Sequence, residues 1–476
     1  MALANRNLVT IDDLSNGEIE SLFSLADDMH NAMEKQINLC RGKIMASLFF
    51  EPSTRTKLSF EAAMHRLGGS VISVVDVKAT SLAKGESIAD MARVVGSYAD
   101  IIVVRHPWEG AARVIADYAG VPVINAGDGG HEHPTQTLCD LYALKKERRT
   151  LKGLRIALWG DLKHGRTVHS LTYALARFGA IIHFRSGPGL ELPEYVKRKL
   201  ETEYTGRLER YENISNIIKD SRFPIDAIYI TPGSPHQLAN IPDVSMQIEL
   251  DKGVEALYVT RLQMERLSGK ADEGLKKEEY PVVDKKLLKG KEFAETLVLH
   301  PLPRVDELAR DIDADPRSMY FKQAALGVPV RMALIALLLG AKKAPAVEED
   351  RSFIRKTEYT PCHYVYGIKC PNRNCVSHYE KESIKPEFTI VCRRPLILRC
   401  VYCEHEVSPP FIASSEWHEG KLINKQYHSA SSHWARKIKA ENLIVFSSEK
   451  DAEVRGFKPS HYAKKRYRIS KKEVEL

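Results

Sequence analysis

The feature that most constrains the fold is an alternation of short apolar runs with helical patterns, from about residue 40 to residue 340. Helical segments fit between most of these runs, which is typical of two parallel α/β sheets, giving two lobes with a cleft between them. Ligands of such folds collect beyond the carboxyl ends of the strands. The predicted strands are Lys43–Phe50, Ser70–Val77, Ile101–Arg105, Pro122–Asn125, Arg155–Gly160, Ile181–Arg185, Ala227–Thr231, Ala256–Thr260 and Leu297–Leu299.

Two helices and the composition complete this frame. Thr135–Lys146 opens with a capping Thr and is predicted to bridge the two halves. Lys322–Gly340 is predicted to close this part, and Pro329 and Arg331 interrupt it too much for a membrane span. No run of 18 apolar residues occurs, and the first 23 residues lack a basic-then-apolar signal pattern. We therefore expect a cytoplasmic chain that does not cross a membrane.

The segment FFEPSTRT, residues 49–56, ends an apolar run with four consecutive polar donors. Phe60, Ala63, Met64 and Leu67 then recur at helical spacing, so Ser53, Thr54, Arg55 and Thr56 lie at a predicted helix N-terminus. Free N–H groups and the helix dipole favour an anion there, and the Arg55 guanidinium matches phosphate oxygens. A plain N-cap with surplus hydroxyls and a surface Arg is the structural alternative.

Similar polar segments follow other predicted strands. They are RHPWEGAAR with Arg105, NAGDGGHEHPTQT with His131, His133 and Gln136, GDLKHGRT with Lys163 and Arg166, TRLQMER with Arg261, Gln263 and Arg266, and HPLPRVDE. Together they predict a cleft lined by Arg, His, Gln and hydroxyl groups. Such a cleft suits recognition of a phosphate and one or two carboxylates, with polarisation of a carbonyl. No nucleophile elbow, Walker sequence or GxGxxG is present, and WGDLKHGR lacks the Gly-x-Gly of a dinucleotide site.

These segments, together with SLAKGE, occur in the order found in aspartate carbamoyltransferase catalytic chains, which residues 5–340 resemble. The segment FFEPSTRT is similar to a segment common to all carbamoyltransferases, whereas the other segments distinguish carbamoyltransferases with different substrates. An ornithine enzyme would carry His-Cys-Leu-Pro where this chain has His300-Pro301-Leu302-Pro303. The resemblance implies transfer of a carbamoyl group from carbamoyl phosphate to L-aspartate, the committed step of pyrimidine biosynthesis. A carbamoyltransferase for another amino acid is the alternative enzyme.

The resemblance also implies residue roles. Ser53, Thr54, Arg55, Thr56 and Arg105 would hold the phosphate. Thr56, Arg105 and His133 would polarise the carbamoyl oxygen, and Gln136 with the carbonyls of Pro301 and Leu302 would hold the carbamoyl NH2. Arg166, Arg261 and Gln263 would bind the aspartate carboxylates, and Glu51 would bridge to Arg166 and Arg266 on closure. Ser81 and Lys84 would reach the site of a neighbouring subunit, where both would contact carbamoyl phosphate and Lys84 would also contact aspartate. Such sharing implies a homotrimer, and paired trimers are a further possible assembly.

The chain departs from the family pattern in two places. Lys57 stands where the family often has Arg, which leaves Arg55 and the hydroxyls in place. The stretch between Arg166 and Arg261 is longer than usual, and residues 232–253 are the expected insert.

Four cysteines follow a metal-binding spacing near the C-terminus. Cys370 and Cys375 form C-x4-C, and Cys400 and Cys403 form C-x2-C after a further 24 residues. This pattern predicts one structural zinc per chain with four thiolate ligands. Cys362 and Cys392 lie outside the spacing and are predicted to be buried thiols. The segment also resembles the zinc domain of aspartate carbamoyltransferase regulatory chains, so the chain resembles a catalytic chain fused to that domain.

The predicted domains follow from these assignments. Residues 1–140 form a carbamoyl-phosphate lobe completed by helix 319–340, 150–310 an aspartate lobe, 341–361 a linker, and 362–412 a small β-rich zinc domain. Residues 413–476 form a basic tail without an assigned structure, with 14 Lys and Arg against 8 Asp and Glu. A zinc-ribbon nucleic-acid binder is the alternative for this part, but nucleic acid is not expected. The resemblance implies a nucleotide-binding domain ahead of the zinc domain, as in the family's regulatory chains. The linker 341–361 is too short for such a domain of about 100 residues.

Overall fold

The computed structural model describes residues 3–33, 37–74, 84–148, 151–186, 189–204, 207–210, 225–231, 254–261, 282–343, 345, 354–355, 359–380, 384–415, 417–418, 421–422 and 425–460. The described residues divide into two compact units. Unit 1 contains residues up to 107 and from 115 to 356, and unit 2 contains 108–114 and the residues from 357 onward.

Helices occur mainly in unit 1. The α-helices are α1 Asn16–Asn31, α2 Thr54–Arg66, α3 Ile88–Gly96, α4 Ala111–Tyr118, α5 Pro134–Arg148, α6 Arg166–Arg177, α7 Glu194–Glu203, α8 Tyr320–Leu338, α9 Trp434–Lys437 and α10 Glu449–Val454. The predicted bridging helix is α5, and the predicted closing helix is α8.

The strands of unit 1 form two parallel sheets, as predicted. These strands are β1 Ile44–Phe49, β2 Ser70–Val74, β3 Ile101–His106, β4 Val123–Asp128, β5 Arg155–Gly160, β6 Ile181–Arg185, β7 Arg207–Arg210, β8 Ala227–Thr231, β9 Ala256–Val259 and β10 Leu297–Leu299. The first sheet has the order β2-β1-β3-β4, and the second has the order β10-β9-β8-β5-β6-β7. The strand β7 has no counterpart among the predicted strands.

One continuous core joins the two sheets of unit 1, with residues of β1, β3, β5 and β6 in the same apolar cluster. Helix α8 packs against α1, α2 and α5 in this core. By length and composition alone α8 could cross a membrane, yet 72% of its apolar window is buried inside the protein. Its hydropathy is therefore explained by its place in the core.

Unit 2 is β-rich. Its strands are β11 Thr360–Cys362, β12 Tyr364–Tyr366, β13 Phe388–Arg393, β14 Leu396–Cys400, β15 Glu406–Val407, β16 Phe411–Ser414, β17 Trp417–His418, β18 Lys421–Leu422, β19 Gln426–Ser429, β20 Leu443–Phe446 and β21 Lys458–Pro459. One sheet has the order β11-β13-β14-β15 and carries the cysteine segments.

The structure corrects the view of residues 413–476 as a tail without assigned structure. Within the described part, up to residue 460, they supply most of a five-stranded sheet with the order β12-β20-β16-β19-β21. Tyr427, Ile444, Phe446 and Phe457 form its apolar core with Ala413 and Ala452. The pairing of β12 with β20 joins residues about 80 positions apart, and local sequence patterns do not reveal such a partner.

Candidate functional site

The predicted anion site lies at the start of α2, directly after β1. Ser53 occupies the N-cap position with an extended backbone, and its hydroxyl makes no capping hydrogen bond among the described residues. Thr54 and Arg55 are exposed, whereas Thr56 is buried. The first turn therefore presents hydroxyls, a guanidinium and the positive end of a 13-residue helix to one region.

A carboxylate between two guanidiniums connects the carboxyl ends of the two sheets. Glu51 accepts hydrogen bonds from Arg105 Nη2 at 3.0 Å and from Arg166 Nη1 and Nη2 at 3.0 and 3.2 Å. Arg105 is the fifth residue of β3, and Arg166 is the first residue of α6, which follows β5. The predicted contact of Glu51 with Arg166 is thus present in the structure. Both guanidiniums are over 90% buried, so their charges are only weakly screened.

His133 lies beside Arg105. Its Nε2 is 3.5 Å from Arg105 Nη1, and its Nδ1 is 3.4 Å from Thr135 Oγ1. The backbone N–H of His133 donates to Ser170 Oγ at 3.0 Å, which ties it to α6 of the second sheet. Because a guanidinium only donates, Nε2 acts as an acceptor in this arrangement.

Gly127 brings the backbone of β4 against both arginines. Its φ is +116°, and a Cβ built there would lie 3.3 Å from Arg105 Nη1 and from Arg166 Cζ. The register of β3 with β4 shifts between Val104 and His106, so β4 carries an extra residue at this point. Gly127 is part of the segment NAGDGG, but the close approach of the two arginines to its backbone could not be read from the sequence.

The segment His300–Leu302 follows β10 and is held by side chains. Leu302 N–H donates to His300 Nδ1 at 2.8 Å, and His300 Nε2 donates to Glu307 Oε1 at 2.8 Å. Leu302 has a φ of +53°, a conformation that favours glycine and is held here by that hydrogen bond. The pKa of His300 is lowered, chiefly by burial, and the nearby positive charges of Arg304 and Arg55 contribute.

Arg55 and Arg261 supply positive charge to the same cleft. The pKa of Arg55 is lowered from its ordinary value, first by partial burial and second by the positive charge of Arg261. Like charges brought together at the carboxyl ends of strands are typical of an anion-binding site. Arg261 directly follows Thr260 at the end of β9 and is half-buried.

Asp140 on α5 was not predicted as part of the site. Its Oδ1 accepts hydrogen bonds from Gln136 Nε2 at 2.8 Å, Tyr258 Oη at 2.9 Å and Gln323 Nε2 at 3.0 Å. Burial raises its pKa to about 7. The signal available in TQTLCDLYAL was a carboxylate on an apolar helix, four residues after the Gln136 that the sequence had singled out.

Other predicted site residues are only partly described. Lys84 is exposed, Pro301 and Leu302 are half-buried, and Gln136 is half-buried. Ser81, Gln263, Arg266 and the expected insert 232–253 lie outside the described residues. The structure therefore brings Glu51, Arg105, His133 and Arg166 together, and Glu51 lies two residues ahead of Ser53, the N-cap of α2. The charges of Arg261 and Arg55 lie close enough to influence the pKa values of Arg55 and His300, respectively.

The four predicted ligand cysteines converge in unit 2. Cys370, Cys375, Cys400 and Cys403 are all buried, and their Sγ atoms lie within 4.8 Å of one another. The Sγ atoms of Cys370 and Cys403 are 3.4 Å apart, and those of Cys375 and Cys400 are 3.8 Å apart. Four thiolates at about 2.3 Å from a tetrahedral zinc would have spacings of this size.

Unit 2 includes residues 108–114, a short stretch that lies between two stretches of unit 1 in the sequence. The Trp108 and Tyr379 rings stack at 4.1 Å with an angle of 6°. Glu109 N–H donates to the Asn374 carbonyl, and Val376 N–H donates to the Glu109 carbonyl, both at 2.9 Å. Of the segment RHPWEGAAR, Arg105 lies in unit 1, whereas Trp108 and Glu109 belong to unit 2 and pair with the cysteine loop.

Three family models match the chain. The carbamoyl-phosphate-binding domain of aspartate/ornithine carbamoyltransferases matches residues 6–146, and the Asp/Orn-binding domain of the same family matches residues 237–338. The metal-binding domain of the aspartate carbamoyltransferase regulatory chain matches residues 363–412.

Relatives and solved structures agree with these matches. The aspartate carbamoyltransferase catalytic subunit of Thermoplasma acidophilum is 45% identical over 340 residues, which cover 71% of this chain and 99% of that protein. That of Methanopyrus kandleri is 44% identical over the same shares. The catalytic subunit of M. jannaschii aspartate transcarbamoylase is 39% identical, with a TM-score of 0.57 over 71% of this chain and 100% of that one.

A structure of aspartate transcarbamoylase from Trypanosoma cruzi, in complex with carbamoyl phosphate and aspartate, is 34% identical with a TM-score of 0.58. It covers 71% of this chain and 98% of that chain. The matches to catalytic subunits and to the metal-binding domain agree with the geometry of the cleft and of the cysteine cluster. The chain therefore belongs to the aspartate carbamoyltransferase family and joins a catalytic region to a regulatory-chain metal-binding domain.

Proposed function

We propose that the cleft of unit 1 transfers the carbamoyl group of carbamoyl phosphate to the α-amino group of L-aspartate, the pyrimidine-pathway step of this family. The observation that carries this proposal is the Arg105–Glu51–Arg166 contact, which joins a phosphate-side arginine of one sheet to an aspartate-side arginine of the other. Two anionic substrates need cationic groups on both sides of one cleft.

In this reaction the neutral amine lone pair attacks the carbamoyl carbon, and the C–O bond to phosphate breaks. The electron pair of that bond leaves with phosphate, and the amine loses one proton. Thr56, Arg105 and His133 would stabilise the developing charge on the carbamoyl oxygen. Arg55 and the α2 N-terminus would hold the phosphate, while Arg166 and Arg261 would orient the aspartate carboxylates. Positioning and charge stabilisation supply the rate, since no covalent enzyme intermediate is required.

A coupled assay of phosphate release tests this function. We expect turnover with L-aspartate and little with L-ornithine, and release without any acceptor should be close to the uncatalysed rate. Equal turnover with ornithine would contradict the assignment to aspartate.

We further propose that the four buried cysteines bind one structural zinc ion per chain. Their Sγ spacings fit a tetrahedral ion, and four thiolates leave no open position for substrate. The ion would fix the two cysteine loops relative to each other. Metal analysis of purified protein, with Cys403→Ser as a control, should give one zinc per chain in the wild type only.

The functional assembly is proposed to be a trimer with shared sites. Lys84 is exposed and lies in a polar segment that the family resemblance assigns to a neighbouring subunit's cleft. Sedimentation measurements give the number of subunits directly.

A further inference from the structure

The buried network around Asp140 connects the groups that would contact the carbamoyl NH2. Asp140 Oδ1 receives three donors from three elements: Gln136 of α5, Tyr258 of β9 and Gln323 of α8. The residue is 1% exposed, so water does not compete for these bonds.

Gln136 can present its amide in two ways, because Oε1 and Nε2 are similar in size. A carboxyl oxygen without a proton only accepts, so Asp140 Oδ1 binds Nε2 of Gln136. Oε1 of Gln136 is thereby oriented away from Asp140, where it can accept a hydrogen bond from a ligand. An NH2 group of a ligand requires such an acceptor, whereas a second amide NH2 facing it would repel it.

Gln323 has the same amide orientation and links Asp140 to the segment His300–Leu302. Its Nε2 also donates to Asp140, so its Oε1 faces His300 and accepts the His300 N–H at 3.0 Å. His300 Nδ1 in turn accepts the Leu302 N–H. These bonds fix the backbone of residues 300–302, whose carbonyls at Pro301 and Leu302 are the other expected acceptors.

The second oxygen of Asp140 is where a proton on this carboxyl group would lie. Oδ2 is buried and has no hydrogen-bond partner among the described residues. A proton carried by this carboxyl would therefore sit on Oδ2, and Oδ1 would remain an acceptor in both protonation states. The raised pKa of Asp140, caused by burial, agrees with this division between the two oxygens.

We propose that Asp140 is a positioning residue that selects a carbamoyl donor over an acyl donor without an NH2 group, by orienting the amides of Gln136 and Gln323. This inference rests on the proposed function, because it takes carbamoyl phosphate as the ligand. The residue would not touch the substrate itself.

The test compares carbamoyl phosphate with acetyl phosphate, in which a methyl group replaces the NH2. Calorimetric affinities are measured without aspartate, so the readout does not depend on turnover. A site built to accept an N–H group should favour the carbamoyl ligand by at least about tenfold. In Asp140→Ala this preference should fall to within about twofold.

Two further variants separate orientation from stability. Asp140→Asn keeps one acceptor oxygen for the three donors and should retain the preference. Asp12→Asn is the control, because Asp12 is a partly exposed carboxylate paired with Lys199 at 2.8 Å and Tyr204 at 2.6 Å in a different network. It should lower the melting temperature and leave the carbamoyl preference unchanged. Affinity for inorganic phosphate should stay within about twofold in every variant.

A wild-type preference in folded Asp140→Ala would overturn the proposal, as would equal losses for carbamoyl phosphate, acetyl phosphate and inorganic phosphate. Loss of preference in Asp140→Asn to the same extent as in Asp140→Ala would also overturn it. If Asp140→Ala does not fold, Gln323→Met replaces it, since this change removes the link from Asp140 to His300 and should likewise reduce the preference. Absence of wild-type turnover with aspartate would contradict the proposed function alone.

Discussion

Glu109 and Asn372 are 263 residues apart in the chain, yet Asn372 Nδ2 donates to Glu109 Oε2 at 2.7 Å. Asn372 lies within the loop between Cys370 and Cys375, whose conformation a bound metal would fix. The 108–114 segment is therefore held in part by the loop between Cys370 and Cys375, which would bind the metal.

Removal of the metal should weaken the contacts of Trp108 with Tyr379 and of Glu109 with Asn372. We expect a chelator to lower the melting temperature and to shift Trp108 fluorescence to longer wavelength, because the stack on Tyr379 is lost. The difference spectrum before and after chelation should shrink in Trp108→Phe. Turnover should largely persist, since the proposed site residues all belong to unit 1 and the released segment belongs to unit 2. Loss of all turnover in step with metal release would show that the metal supports the cleft directly.

The charge of Glu51 should be essential to the cleft. Glu51→Gln weakens the pairing with both Arg105 and Arg166, and misplacement of these groups should lower kcat/KM about 10- to 100-fold. Steady-state kinetics over both substrates measures the effect. Glu61→Gln is the matched control, because Glu61 pairs with Lys57 on the same helix and with Ser73 on β2 of the same sheet. A similar loss in both variants would contradict a specific role for Glu51.

Gly127→Ala should impair the site sterically. The new Cβ would lie 3.3 Å from Arg105 and Arg166, in addition to the strain of a positive φ. Gly120→Ala separates the two effects, because Gly120 also has a positive φ of +69° but nothing within 4 Å of a Cβ. Both variants should lose about 1 kcal/mol of unfolding free energy. Only Gly127→Ala should lose turnover, by about tenfold, and equal kinetics in the two would refute the steric explanation.

Shared sites predict complementation between two inactive variants. Lys84→Ala and Arg55→Ala chains, unfolded and refolded together, should form some trimers in which one site carries both wild-type residues. Activity should reappear in the mixture and remain low in each variant refolded alone. If mixed trimers are verified by mass and activity stays low, each site is complete within one chain.

The chain should not respond to nucleotides in the way of the family's regulatory chains. The 21 residues from 341 to 361 cannot hold a domain of about 100 residues, and the sheet of β12, β16, β19, β20 and β21 has strands of only two to four residues. Aspartate saturation with and without millimolar CTP or ATP is the measurement. A nucleotide-induced shift in the aspartate concentration at half-saturation would contradict this prediction if it persists at saturating carbamoyl phosphate.

The parallel sheets were readable from the sequence because most of their strands, such as β1, β3, β8 and β9, are buried and rich in apolar residues. β5, β6, β8 and β10 begin and end at the predicted residues. β7 was missed because Arg207–Arg210 contains a single apolar residue. The sheet of residues 411–460 was missed because its strands are short and their partners are distant in the chain.

Candidate site residues could be named from the sequence where they lie in recognisable polar segments, and less easily where a residue acts through a neighbour. Arg55, Arg105, His133 and Arg166 were named from polar segments at strand ends. Asp140 gave no such signal, because its function depends on Tyr258 and Gln323, which lie more than 100 residues away. Its role became visible only with the hydrogen bonds.

Unit 2 is assembled from two stretches of chain, and this has a consequence for synthesis on the ribosome. Glu109 emerges 263 residues before its partner Asn372, which at about 5–20 residues per second is a delay on the order of tens of seconds. During that interval Trp108 has no Tyr379 to stack on and Glu109 has no Asn372 to pair with. A message truncated after the catalytic region would make this condition permanent, so the nascent catalytic region is a candidate client for chaperones until the last quarter of the chain is made.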